Sequence, residues 1–346
     1  MKILALDLGK YKTVACEYEA ESGQHEFTSV TTSPQALHDL LVEREPERVV
    51  IEICSIAGWV CDLVRLLGIE IEVANTSDDA WRWRKVKKKN DRQDALKAAR
   101  LSAVNQLRTV HVPAKETRQW RALIAYRQQL VRRRTKIKNH IRDLLQREGK
   151  MMARRQGAWT LRGLAQLEEL VQPLSRVETD ELWRGELALE LTQLRAVQQQ
   201  LDTVEEKLNA LGAADARVQL LRTIPGVGPR LAEAIVTLLV DPNRFGKAGE
   251  VSAYIGMVPK ELDSGETERR GRITRQGNRV VRSLLVEVTW LGLRHNPWVR
   301  ENYQRISGGK KSRKKIAVVA VGRKLLVRCW AMLRDGTPWQ WQPSST

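Results

Sequence analysis

Four carboxylates in the first third of the sequence stand where charge needs a reason. Asp7 follows the apolar run Ile3 to Leu6, Glu52 lies inside Val49-Val50-Ile51-Glu52-Ile53, and Asp91 and Asp94 are three apart in a helical segment. A carboxylate in an apolar strand is costly unless it is paired or holds a cation. Residues three apart share a helix face, so Asp91 and Asp94 can converge on one ion. Four carboxylates from three elements suit a pair of Mg²⁺ ions about 3.5–4 Å apart, an arrangement that activates a nucleophile and stabilises the leaving oxygen in phosphoryl transfer. Taken singly, Asp7 reads as a turn cap, Glu52 as the partner of a lysine, and the two aspartates as a solvated face.

A second chemical group is a serine. Ser264 lies in a polar stretch with Arg269, Arg270 and Arg272 close by and no histidine near it in sequence. A serine hydroxyl is a poor nucleophile without a base or a metal, and chemistry alone leaves Ser264 an ordinary turn residue. Cations are the third group. Arg118, Arg121, Arg127, Arg132, Arg133, Arg134, Lys136, Lys138 and Arg142 form a stripe of phosphate-seeking charge, for which nucleic acid is the natural partner. Lys85 to Lys89, ahead of Asp91, read equally as neutralisers of incoming phosphate or as a solvated run. The turn Ile224-Pro225-Gly226-Val227-Gly228 places Gly226 and Gly228 where backbone N–H groups can approach a phosphate, although glycine also simply permits positive φ there.

These residues need elements to position them. Strand-like runs at Ile3 to Gly9, Thr13 to Tyr18 and Glu26 to Thr31 form a meander. A helix opens at Ser33-Pro34, and the order βββαβαβ followed by the Asp91/Asp94 helix describes an α/β layer fold ending near Leu107. With its first aspartate on the first strand of that meander, the carboxylate set reads as an RNase H-like metal site. From Glu116 to about Gly149, Leu123, Leu130, Ile137 and Leu144 recur every seven residues; Leu187, Leu194, Leu201 and Leu208 do the same. Two such helices joined by a long loop are expected to pair as an antiparallel coiled coil, with a plain helical bundle as the alternative. After Arg222 a compact domain follows, opening with Ile224 to Gly228 and an amphipathic helix through Val240, with further helices over Val280 to Leu293 and Ile316 to Leu333, a polar stretch from Pro259 to Asn278, and an irregular tail after Asp335.

The 346 residues carry 59 Lys and Arg against 41 Asp and Glu, a net +18 suited to a polyanion. The four cysteines, Cys16, Cys54, Cys61 and Cys329, show no C-x-x-C pair; neither a zinc ribbon nor a disulfide framework is expected, and a reducing cytoplasm fits best. Ile316 to Val321 is too short to span a bilayer, and MKILALDLGK reads as a strand rather than a secretion signal.

In combination the motifs resemble those of the DEDD insertion-sequence transposases, the family of bridge-RNA-guided recombinases with a RuvC-like (RNase H-like) domain, a coiled-coil arm and a mainly α transposase domain. The carrying residues are Asp7, Glu52, the run Lys89-Asn90-Asp91-Arg92-Gln93-Asp94-Ala95, the basic arm, Ile224 to Gly228, and Ser264-Gly265 upstream of Gln276-Gly277-Asn278. The resemblance covers essentially the whole chain and implies a RuvC-like domain over 1–107, an arm over 108–212 and a transposase domain over 213–346. It implies that Asp7, Glu52, Asp91 and Asp94 hold Mg²⁺ and that Ser264 forms a phosphoserine link to DNA. It also implies that Arg132, Arg133, Arg134, Lys138, Gly226 and Gly228 touch nucleic acid. Donor and target DNA, a non-coding guide RNA and further copies of the chain, as a homodimer or homotetramer, are the implied partners. Many members carry Ala-Thr-Gly after the glutamate; this chain has Ile53-Cys54-Ser55 and reaches glycine at Gly58. The competing classes are a RuvC-like nuclease or Holliday-junction resolvase without a serine nucleophile, and a non-catalytic scaffold.

Overall fold

Alternation along β1 (Lys2–Leu8) sets the layers of the N-terminal region. Successive strand residues point to opposite faces, so Ile3 and Ala5 join one apolar cluster and Leu4 and Leu6 another. In the computed structural model, which describes residues 1–75, 90–153, 157–264 and 267–341, β2 (Lys12–Glu19) and β3 (His25–Thr31) complete the antiparallel meander. On the other side of β1, β4 (Arg48–Glu52) and β5 (Glu70–Ala74) add in parallel, giving the order β3-β2-β1-β4-β5. Leu4, Leu6, Val49 and Ile51 pack with α1 (Pro34–Arg44) and α2 (Ala57–Leu66). Ile3, Ala5, Cys16 and Val50 pack with α3 (Asp91–Ala103). The start of α1 is local chemistry: Ser33 Oγ accepts from the Ala36 N–H at 3.2 Å and Pro34 fills the first helical position.

The chain divides into two compact units, Met1–Gln119 and Trp120–Thr346, and the division falls within α4 (Lys115–Arg147). The second unit is mostly helical. Its two longest helices, α4 and α6 (Leu182–Ala214), are each 33 residues long. Leu130, Ile137 and Leu144 of the first and Leu187, Leu194, Leu201 and Leu208 of the second are buried, so the seven-residue spacing marks a contact face. Arg127 reaches Glu205, Arg134 reaches Gln198 and His140 meets Glu186; rising numbers meet falling ones, and the pair is antiparallel.

The same apolar cluster continues into α7 (Ala216–Arg222), α8 (Pro229–Leu239), α9 (Ala248–Tyr254), α10 (Arg279–His295) and α12 (Lys314–Asp335). A shorter helix, α5 (Leu161–Glu168), contributes Leu167. Two features differ from the sequence reading. Asn296 ends α10 and caps a further helix, α11 (Pro297–Ser307), by accepting from the Val299 N–H at 3.2 Å. The polar stretch after Pro259 folds as a hairpin of β6 (Pro259–Ser264) and β7 (Thr267–Ile273). Its sequence is charged throughout, without the apolar alternation that marks a half-buried strand. Among the described residues no helix is long and apolar enough to cross a membrane, and the four cysteines are free thiols.

Candidate functional site

The acidic face is built by strand parity and a small-residue helix. β1 and β4 run parallel with Leu6 opposite Ile51. The next residues, Asp7 and Glu52, continue the rows of Ile3, Ala5 and Val50, which face α3. Ala95, Ala98 and Ala99 let α3 lie close on that face. Asn90 starts the helix: its Oδ1 accepts from the Arg92 N–H at 3.1 Å, and its carbonyl accepts from Asp94 N–H at 3.1 Å. Both aspartates occupy the first turn, where the helix dipole favours negative charge. They differ in environment, however: Asp94 is 4% exposed and Asp91 is open to solvent.

Lys97, one turn beyond Asp94, reports how the carboxylates gather. Burial lowers its pKa, while Asp94 and then Glu52 raise it, so both stand within its field. The signal for Lys97 in the sequence is its three-residue step from Asp94 on a helix. Among the described residues no three His, Cys, Asp or Glu side chains are gathered tightly enough to grip a metal ion. The all-oxygen donor set of the carboxylates suits a hard divalent cation and not a thiolate-loving one. Lys85 to Lys89 lie outside the described residues.

Ser264 is the last residue of β6, opposite Thr267. The root of this hairpin is a tight backbone crossing. A Cβ on Gly256, at φ +69°, would stand 2.1 Å from the Gln276 carbonyl oxygen, and one on Gly277, at φ +76°, 2.2 Å from that of Tyr254. Asn278 then caps α10 by accepting from Val280 and Val281 at 2.9 and 3.1 Å, and Arg282 ties the carbonyls of Ile255 and Gln276 together at 2.7 and 2.6 Å. Gln276-Gly277-Asn278 is thus a device that anchors the strand pair carrying Ser264.

The basic stripe is divided by use. Arg118 grips Asp62 with two hydrogen bonds of 3.0 and 2.5 Å and fills the space over Gly58. Arg121 donates to the carbonyls of Thr237 and Leu238, near the end of α8, at 2.7 and 3.0 Å. Lys138 and Arg142 sit over the Trp159 ring, 4.8 and 5.1 Å from its centroid. Arg132, Arg133 and Lys136 are exposed, while Arg134 is half-buried against Gln198. In the Ile224 to Gly228 turn, Gly226 takes φ +89°, a conformation that favours glycine. Gly228 is the N-cap of α8, ahead of Pro229.

Residues 4–149 match a family model described as a transposase, of DEDD type, and residues 218–304 match the transposase IS116/IS110/IS902 family. Two stretches of the chain thus match models of IS110/IS116-type DEDD transposase domains. The first match runs from within β1 through the rest of the five-stranded sheet, α3 and α4; the second runs from within α7 into α11 and includes the Ser264 hairpin. Several curated proteins are similar to these domains. A protein of Sinorhizobium fredii named as a transposase is 31% identical over 72% of the chain and 63% of its own length. The transposase for insertion sequence element IS1111A of Coxiella burnetii is 31% identical over 71% of the chain and 66% of its own length. A Pseudomonas aeruginosa protein named as a family 20 transposase is 29% identical over 57% of each. The matches therefore span less than two thirds of the first two relatives. A DEDD domain implies dependence on a divalent metal, which the oxygen donors of the acidic face suit.

Proposed function

We propose that the chain is a DNA transposase that cuts and rejoins strands through a phosphoserine intermediate. What supports this reading is strand parity, which sets Asp7 and Glu52 in the rows that face α3, together with the place of Asp91 and Asp94 in the first turn of that helix. The β3-β2-β1-β4-β5 order supports an RNase H-like, RuvC-like domain over 1–107, followed by the arm over 108–212 and the transposase domain over 213–346. A pair of Mg²⁺ ions held by Asp7, Glu52, Asp91 and Asp94 would supply activation of the attacking hydroxyl and stabilisation of the leaving oxygen. Ser264 Oγ attacks the phosphorus: the Oγ–P bond forms, one bridging P–O bond breaks, and the hydroxyl proton passes to the departing strand end. The ester energy is retained, so a second strand's hydroxyl can displace the serine without an external energy source. Arg132, Arg133, Arg134 and Lys138, with the Gly226 and Gly228 turn, contact nucleic acid. Within the prokaryotic cytoplasm a non-coding guide RNA pairs with donor and target DNA, and the chain acts as a dimer or tetramer.

The test is the covalent adduct. Wild type with Mg²⁺ and substrate DNA is expected to yield a denaturant-resistant protein–DNA species that maps to Ser264 by mass spectrometry. Ser264→Ala should lose it and recombination while binding DNA normally. Mapping to another residue would overturn the serine assignment. Free cleaved ends in equal amounts from both proteins would replace the transposase with a metal-and-water nuclease or junction resolvase.

A further inference from the structure

Residues 300–335 hold eleven Lys and Arg against two acids, half of the chain's net charge of +18. Part of that charge lines a cleft of about 650 Å³ walled by α9, α11 and α12, a size within the ~300–1,000 Å³ of small-molecule sites. Arg323, Lys324 and Arg328 border it, and among the described residues lining it none is acidic. Asn302, 8% exposed, organises one wall: its amide donates to the Trp298 carbonyl at 2.9 Å, and its Oδ1 accepts from Lys324 Nζ at 3.2 Å and Arg305 Nη2 at 3.1 Å. Burial lowers the Lys324 pKa, and Arg305 and Arg323 lower it further.

Fixing like charges around one cavity is unfavourable unless an anion relieves them. Apart from Ser252 and Asn302, the rest of the lining is apolar or glycine. Trp298, Val258, Val327 and Ala331 face the same space, and Trp298 is braced edge-on by Trp339 at 5.6 Å. Cations beside an aromatic wall match a phosphate joined to a base, since stacking serves any base and the charges track the backbone. A paired base keeps its faces inside a duplex, whereas an unpaired one can enter a concave cleft. We propose that this cleft seats an unpaired nucleotide of a nucleic-acid strand, its phosphate on Arg323, Lys324 and Arg328 and its base against the Trp298–Val327 wall. The inference does not rest on the acidic face or on Ser264.

Binding is measured on the full chain in EDTA, so that strand cleavage plays no part. The probes are labelled oligothymidylate and oligouridylate of about 20 nucleotides, longer than the ~4–16 of one strand-binding fold, and a duplex of the same length. R323Q/R328Q leaves the Asn302 contacts intact, and a triple variant adds K324Q. Loss of the one neutralised phosphate in the triple variant should lower the log–log salt slope for single strands by ~0.7, or roughly fivefold in affinity near 0.1 M salt, with a smaller change in the same direction for R323Q/R328Q. The thermal midpoint should hold, because like charge is removed. Loss confined to thymidylate, to uridylate or shared by both supports the cleft and identifies its strand as DNA, RNA or either. An unchanged slope for R323Q/R328Q, or a duplex weakened as much as the single strands, overturns the proposal.

Discussion

Two carboxylates are withdrawn from solvent to a similar degree, Asp94 at 4% exposure and Glu233 at 0%, yet their surroundings differ. Asp94 lies in the first turn of α3 on a face shared with Glu52 and Asp7. Glu233 lies within α8, its Oε2 3.2 Å from Arg230 Nη1 without hydrogen-bond geometry, in the field of Arg127 and Arg222. Burial pushes the Glu233 pKa up to about 7 against those arginines. Helix α6 closes over it, since a Cβ on Gly212 would stand 2.6 Å from its Oε1. Burial alone therefore does not mark a reactive acid. Asp94 shares its face with acids from other elements and with Lys97, whereas Glu233 is enclosed by arginines, and it is the company of an acid that distinguishes the two.

The largest expected effect tests that contrast directly. Asp94→Asn should lower strand cleavage by more than about a hundredfold, because changes merely outside a metal's ligand shell already cost 10–100-fold. In EDTA its thermal midpoint should hold or rise as a like charge leaves the face. Wild type should gain stability on adding Mg²⁺ and the variant should not. Undiminished cleavage with a lowered midpoint would make Asp94 a core group like Glu233.

Glu233→Gln should act on stability and its pH dependence. A carboxyl whose folded pKa is raised holds a proton that the unfolded chain releases. The stabilisation is thus complete below the ordinary value of 4.5 and is lost as pH rises toward about 7. The amide should flatten that decline and stabilise the protein by about 1–3 kcal/mol at pH 8.5, read from urea unfolding at several pH values, with cleavage unaffected. Destabilisation at pH 8.5 would show that the Arg230 pair outweighs desolvation.

The smallest effect concerns how α3 is started. Asn90→Ala removes the cap that opens the helix and should cost about 1 kcal/mol, seen as a lower thermal midpoint. Cleavage should fall less than tenfold, because Ala95, Ala98 and Ala99 still dock α3 on the sheet. A loss as large as that of Asp94→Asn would mean that the cap, not the docking, positions the acid.

Local signals were legible wherever the physics is local. Ser33-Pro34 marks the start of α1 because a side-chain oxygen and a fixed φ act within one turn. The leucine spacing from Leu187 to Leu208 marks the buried face of α6 because a helix repeats every 3.6 residues whatever it packs against. Asp7, Glu52, Asp91 and Asp94 could be picked out one by one as acids in or beside regular elements. Their sharing of a face could not, since that depends on the parallel register of β1 with β4 and on which face α3 covers. Tertiary structure also decided which arginines of the stripe are spent: Arg118 on Asp62, Arg121 on the end of α8 and Arg127 on Glu205, while Arg132 and Arg133 stay exposed. It decided, too, that a charged stretch without alternation pairs as β6 and β7, because backbone hydrogen bonds and the Gly256–Gly277 crossing carry no side-chain period. The sequence by itself determined the elements and their chemical inventory, through propensities that act within a turn or two; contacts between residues distant in the chain determined which of those groups meet.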